Sequence, residues 1–251
     1  MADTKALVMI CEENNIVKMR QALAGGINPN QRLNENGIKA LHIVARRGHQ
    51  EMVSLLLQQP DIELNPKTQN TWTPLHLAAF HGHHEVVALF LQQPGIELNP
   101  KTQNKGDTPL HLAAFRGHQE VVALLLQQPG IDTNTACLQG WTALHVAASK
   151  SQEEIVALLL DHPGIEAGAT NTNGNTALHN AVCGHAGPGV LRRLLACTSI
   201  DPNVKNVGGK TPIMWLLQRD GNQVERLRAF VECDKVDLDD QDGRSLEDLA
   251  R

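Results

Sequence analysis

A four-residue phrase recurs along the chain at almost constant spacing. It reads KALH from Lys39, TPLH from Thr73, TPLH from Thr108, TALH from Thr142, TALH from Thr176 and TPIM from Thr211, at offsets of 34, 35, 34, 34 and 35 residues. A degenerate KALV starts at Lys5, and a fragment GRSLEDLAR from Gly243 puts Ser245 34 residues beyond the last copy. With a period of this length, each unit is one small supersecondary element that cannot bury its own apolar face. Neighbouring units must therefore stack and share a core. The array accounts for essentially all 251 residues and leaves no separate catalytic domain. Thr73–Gly95 and Thr108–Gly130 differ only at His81/Arg116, His84/Gln119 and Phe90/Leu125, and IELNPKTQN is identical at Ile62–Asn70 and Ile96–Asn104. That identity indicates internal duplication.

One unit, Thr108–Asn134, can be read residue by residue. Thr108 is a helix N-cap, and Pro109 suits the first helical turn, where a missing N–H costs nothing. Leu110, Leu112, Ala113 and Ala114 make a short first helix whose small side chains allow close helix approach. Gly117 can take the left-handed conformation that ends it. His118-Gln-Glu opens a second helix, VVALLL, which Pro129 stops. The segment that follows, rich in Asn, Thr, Gly and Pro, reads as an extended turn.

This unit resembles the ankyrin repeat. The carrying residues are TPLHLAA, the Gly-His that follows, Glu-Val-Val, the Leu triplet, and a closing Asp/Glu-x-Asn (Glu97 and Asn99; Asp132 and Asn134; Asp201 and Asn203). The resemblance implies an all-α solenoid of stacked helix-turn-helix units with extended β-turn or hairpin loops. The expected divisions are a divergent N-terminal capping repeat at 1–33, six repeats at 34–67, 68–102, 103–136, 137–170, 171–205 and 206–239, and a truncated C-terminal cap at 240–251. This chain departs from the usual unit in its Gln-Gln-Pro loop, with prolines at Pro60, Pro94, Pro129 and Pro163. In the last full unit Met214 and Trp215 replace His-Leu, and the second helix is expected about two residues late.

Composition narrows the function. Apolar residues make up 41% and aromatics 3%, with no Tyr, which is low for a globular enzyme. The net charge is −5, so no general affinity for nucleic acid or anionic membrane is expected. The segment Glu225–Arg251 carries −4 of this charge. Its acidic end reads either as the polar outer face that a terminal unit needs or as a docking tail. The five cysteines, Cys11, Cys137, Cys183, Cys197 and Cys233, show no C-x-x-C spacing. Reduced thiols in a cytoplasmic compartment are the expectation. The start, MADTKALVMICEENN, lacks the features of a leader, and no run is long and apolar enough to span a membrane.

Twelve histidines raise the question of metal or catalytic chemistry. His42, His76, His111, His145 and His179 belong to the repeated phrase. In the resembled family this His ties its unit to the next loop. His49, His83 and His118 recur before the second helices. Zinc needs three or four converging ligands, and His81, His83 and His84 form the one metal-like grouping. His81 closes one helix and His83 opens the next, so their rings are expected to point apart, and no metal is expected. Cys183 and His185, with Asp201 downstream, sit in a Gly-rich turn that offers neither an orienting group nor a pocket. Phosphate-binding glycine loops are absent. No catalytic residue and no cofactor are expected.

If sameness builds the scaffold, function belongs where copies differ and face solvent. In the resembled family that surface is the concave groove, made by the turn tips before TPLH and the exposed ends of the first helices. Here the helix ends are Arg46-Arg47, Phe80-His81, Phe115-Arg116 and Ser149-Lys150. The tips carry Trp72, Lys105 and Trp141. Four of seven aromatics, Trp72, Phe80, Phe115 and Trp141, map to this groove; Phe90, Trp215 and Phe230 fall within helices. Aromatics and Arg are the types enriched at binding hot spots. The expected partner is a protein or peptide with apolar anchors and acidic groups, bound by Trp72, Phe80, His81, Phe115, Arg116, Trp141, Lys150, Arg46, Arg47 and Lys105 on a monomer. The competing reading has the phenylalanines packed between neighbouring helices. Two further alternatives are a structural or engineered scaffold without a natural ligand and, because the Pro-Gly-Ile-Asp/Glu-x-Asn units resemble those of ankyrin proteins from intracellular bacteria, an effector or adaptor exported into a host cell to act on host proteins. Asn65, Asn99 and Asn134 resemble positions that are hydroxylated in some ankyrin proteins.

Overall fold

The structure, a computed structural model, describes residues 2–218 and 223–237, with side chains from Thr4 onward. The truncated cap expected at 240–251 and most of the acidic end lie outside the described residues. Among the described residues there are helices and turns but no strand. The chain forms two compact units, Met1–Asp132 and Thr133–Arg251.

The first unit holds four helix pairs: α1 (Ala2–Glu12) with α2 (Ile16–Ala24), α3 (Ala40–Arg47) with α4 (Gln50–Leu57), α5 (Pro74–His81) with α6 (His84–Leu91), and α7 (Pro109–Arg116) with α8 (Gln119–Leu126). First helices stack on first helices, α1 on α3 on α5 on α7, and second helices form a parallel row, α2 to α4 to α6 to α8. The second unit repeats the scheme with α9 (Ala143–Ser149) and α10 (Glu153–Leu160), α11 (Ala177–Cys183) and α12 (Pro188–Ala196), and α13 (Pro212–Leu217) and α14 (Val224–Val231). From the start of α7 to the start of α8 is ten residues, and from α13 to α14 is twelve, so the last pair opens two residues late.

Local chemistry sets each boundary. The Thr73 hydroxyl accepts from the His76 N–H, and His76 Nδ1 accepts from the Thr73 N–H at 3.1 Å, a reciprocal cap that Pro74 prolongs without cost. The Thr108, Thr176 and Thr211 hydroxyls cap α7, α11 and α13 in the same way. Among the described residues the turn after a first helix carries a positive φ at one repeat position: Gly48, Gly82 and Gly117 in the regular copies, and Asn14, Ser151 and His185 in others. The left-handed turn is therefore imposed by the fold even where no glycine eases it. Beyond each second helix, the second Gln of Gln-Gln-Pro folds back onto the last turn. Gln59, Gln93 and Gln128 donate to the Leu55, Leu89 and Leu124 carbonyls at 3.0, 3.2 and 3.2 Å. That explains the departure from the usual loop: the amide satisfies a carbonyl the helix would otherwise leave open.

The core is aliphatic. Leu41, Leu75, Leu110 and Leu144 of the repeated phrase are buried, as are Val86, Val87 and Phe90 of α6 and their counterparts Val121, Val122 and Leu125 of α8. Adjacent loops are joined twice. Within each compact unit turn tips receive a backbone bond from the next, as from Gln69 N to Asn36 O at 2.9 Å and from Gln103 N to Asn70 O at 3.0 Å. Each closing Asn then spans two loops with its amide. Asn65 donates to Gly95 O at 2.8 Å and accepts from Glu97 N at 3.0 Å; Asn30, Asn99, Asn134 and Asn203 do the same one unit on.

Candidate functional site

The phrase histidines are structural. His76 Nδ1 accepts from the Thr73 N–H and hydroxyl, which fixes the proton on Nε2, and Nε2 donates to the Pro100 and Asp107 carbonyls at 3.0 and 3.2 Å. His42 donates to Trp72 O at 3.1 Å, His145 to Asn175 O at 3.0 Å and His179 to Lys210 O at 2.9 Å. Burial pushes His76 down to about 4 against the opposing pull of its two carbonyls, and it also lowers His42 and His179. All three rings are neutral at neutral pH.

The second histidine series ties the ends of the first helices. His83 Nε2 meets Arg46 O at 3.0 Å, His118 Nε2 meets Phe80 O at 3.1 Å, and His49 Nδ1 meets Cys11 O at 2.9 Å. The helix ends that carry the candidate site residues are thus held by imidazoles from the following unit.

On that support the structure brings five of the expected residues of the first unit into one cluster. The Trp72 ring lies 5.7 Å from Phe80, edge to face, and 5.9 Å from His76. The Arg116 guanidinium sits over the Phe80 ring at 4.0 Å and 6.0 Å from Phe115. His81 meets Phe80 edge-on at 5.2 Å. Trp72 and Phe80 are half-buried, while Phe115 is 43% exposed, so packing between helices does not consume these rings. Lys105 is exposed on its turn tip. In the second unit, Trp141 is half-buried near His145 at 6.5 Å and Lys150 is exposed.

Trp72 stands on an unusual support. At its turn tip the residue with positive φ is glycine in every other described copy (Gly37, Gly106, Gly140, Gly174 and Gly209) and Thr71 here, at φ 59. A β-branched residue in that region is strained. The Thr71 hydroxyl donates to Lys101 O at 2.8 Å, and the Trp72 N–H donates to the Thr68 hydroxyl at 3.1 Å; these bonds hold the conformation. The duplicated loops are identical up to Asn70 and Asn104, then diverge to Thr71-Trp72 and Lys105-Gly106-Asp107.

Three features escaped the sequence reading. Arg46 and Arg47 are paired with Glu12 of α1, at 3.7 and 3.2 Å; Glu12 occupies the Arg46 position one unit earlier, which was the available signal. An apolar depression lined by Val8, Leu33, Ile38, Ile43 and Leu77 adjoins this pair. The third is a correction: the His81 and His83 rings do not point apart but stack, 6.0 Å apart and 16° from parallel. The cause is His83, whose bond to Arg46 O draws its ring back across the turn to lie beside the last turn of α5. Two stacked imidazoles are still short of a zinc ligand set, and among the described residues no three His, Cys, Asp or Glu converge on one point. Cys183 and His185 are exposed in their turn, and His185 takes a φ of 60. Burial, with Glu12 beside it, pushes the Cys11 thiol up to about 12.

The family model for ankyrin repeats in three copies matches residues 6–102, 65–137, 96–171 and 136–206, most of the chain. The chain belongs to the ankyrin-repeat family. This ankyrin array is similar to the crystal structure of the ankyrin repeat domain of Bcl-3, described as a unique member of the IkappaB protein family. The TM-score is 0.73 and the identity 25%, over 88% of this chain and 97% of that one. No curated protein sequence matches significantly. Because 560 solved chains match the array, the fold by itself does not choose a partner. Ankyrin repeats are protein–protein interaction modules, and nothing indicates enzyme activity. Among the described residues no helix is long and apolar enough to cross a membrane.

Proposed function

We propose that Trp72, Phe80, Phe115 and Arg116 form the docking site for a partner protein or peptide that supplies apolar anchors and an acidic group. The observation that carries this is the guanidinium of Arg116 stacked over a half-buried Phe80 beside an exposed Phe115. A chain with 3% aromatics has placed three of them on one face. The strained Thr71 supports the reading, because strain of this kind persists where a site needs it. Lys105 and the Arg46-Arg47 pair, on this reading, add cationic contacts for the partner, and Trp141 and Lys150 offer like chemistry on the second unit. On this reading the array acts as a non-enzymatic monomeric adaptor in the cytoplasm. Five free thiols and a net charge of −5 are consistent with that compartment and with a protein partner rather than nucleic acid or membrane.

The test is affinity capture from the source cell's extract with the natural chain beside a Trp72→Ala, Phe115→Ala variant. The variant should lose its captured partner, with affinity weakened by more than about 2 kcal/mol, at unchanged helical content. Capture of the same partners at the same yield would refute the site.

A further inference from the structure

The charges around the aromatic cluster are unevenly matched. Of its cations, Arg46 and Arg47 already face a carboxylate, Glu12. Glu85 at the start of α6 is engaged with His84 at 3.2 Å. Among the described residues no carboxylate pairs with Arg116, which rests on Phe80 instead. His81 meets the same ring edge-on, 5.2 Å away, and stacks against His83. The charged and titratable groups acting on His81 are Arg46 from α3, Arg116 from α7, His83 just before α6 and His118 just before α8. Burial, followed by His83, Arg46, Arg116 and His118, holds His81 below the ordinary histidine range. A neutral imidazole surrounded by cations takes up a proton readily once an anion arrives.

Building on the docking reading above, we propose that a carboxylate of an acidic peptide segment seats between Arg116 and His81, and that its docking is coupled to uptake of one proton from solvent by the His81 imidazole. Arg46 and Arg47 are not the acceptors, because Glu12 stands where the incoming acid would go. The aromatic floor supplies the apolar contact and the cation pair supplies selectivity for acid. Affinity therefore rises as pH falls toward the histidine range.

The probe is a capped hexaglutamate peptide, with capped hexaglutamine and inorganic phosphate as comparisons, titrated calorimetrically into the full chain at low salt. Measurements at pH 7.5 and 5.5, in two buffers of different ionisation enthalpy, count the protons. Hexaglutamate should bind about threefold or more tighter at pH 5.5 with net proton uptake, within the tenfold that one pK unit allows. His81→Gln should abolish both the pH dependence and the uptake, and Arg116→Gln should weaken binding at both pH values. In the unsubstituted chain, the His81 Cε1–H resonance should titrate at higher pH once hexaglutamate is present. The proposal is overturned by absence of hexaglutamate binding, by equal affinity at both pH values, by pH dependence that survives His81→Gln, or by phosphate or hexaglutamine binding as tightly as hexaglutamate. None of these results alters the Trp72/Phe115 capture experiment, so the docking site and the proton coupling fail separately.

Discussion

His118 lies against Gly82 so closely that a Cβ on the glycine would stand 2.5 Å from the ring Nδ1. The same ring reaches Phe80 O with Nε2 at 3.1 Å, so the glycine at the end of α5 is the seat of the imidazole that holds that helix end. Gly48 and His83 repeat the arrangement one unit earlier. The Gly-His phrase therefore works between units: the glycine of one copy receives the histidine of the next.

Gly82→Ala should destabilise the chain by about 2–3 kcal/mol, from the left-handed penalty of roughly 1–2 kcal/mol and a lost hydrogen bond of about 1 kcal/mol. Chemical denaturation monitored by circular dichroism would show it as a lower midpoint. A midpoint equal to that of the natural chain would mean His118 does not rest on Gly82 in solution.

Much of this architecture is legible in the sequence because the residues that build it recur. Thr-Pro, Gly-His and the Leu triplet each answer a local requirement of capping, reversal or burial, and a requirement met in the same way in three units is hard to misread. The site is less legible for the opposite reason. The Arg116–Phe80 stack joins α7 to α5, the Glu12 clamp joins α1 to α3, and the His81–His83 stack follows from a bond that His83 makes to a carbonyl 37 residues back. Such contacts depend on side-chain direction across units, which residue type and spacing do not specify. Trp215 shows the same limit. It takes the repeat position of Leu77 and Leu112, yet it is half-buried with its ring 5.6 Å from His179.

The buried phrase histidines make stability depend on pH with a definite sign. His76 in the folded chain binds a proton only near pH 4, whereas in the unfolded chain it binds one near 6.5. Between those values the unfolded state carries more protons, so stability falls as pH falls. His76 alone contributes about 3 kcal/mol across this window, and His42 and His179 act in the same direction. Thermal midpoints measured from pH 7.5 to 4.5 should drop steadily below about 6.5. In His76→Gln, whose amide can both accept and donate, the slope should be shallower. An unchanged slope would show that His76 is not the group responsible.

Leu125 is completely buried on α8, at the position Phe90 fills on α6. Truncation to alanine removes the packing shared by neighbouring second helices and should cost roughly 2–5 kcal/mol. Leu124, one residue back, is only half-buried, so Leu124→Ala should cost less. Denaturation midpoints of the two variants rank the positions, and a reversed order would shift the register of α8 by one residue.

One link in the loop ladder is missing. Asn30, Asn65, Asn99, Asn134 and Asn203 each span two loops, but the corresponding residue after Asn134 is Gly168. Its Cβ position lies 3.1 Å from Ser199 O, the carbonyl equivalent to the one Asn134 reaches at Gly164. The acceptor is therefore in place, as is the Asp201 N–H that would donate in return. Gly168→Asn should add two hydrogen bonds of about 0.5–1.5 kcal/mol each. It should also reduce the freedom of the unfolded chain, by about 0.4–1 kcal/mol. The close approach to Ser199 O, which must yield by a few tenths of an ångström, subtracts from that gain. A net rise in the urea midpoint of the variant, absent in Gly168→Ala, would show that the amide rather than the added carbon is responsible. If both variants fall below the natural chain, the loops at this junction are held too tightly to accept the link, and glycine is there because the backbones approach too closely for anything larger.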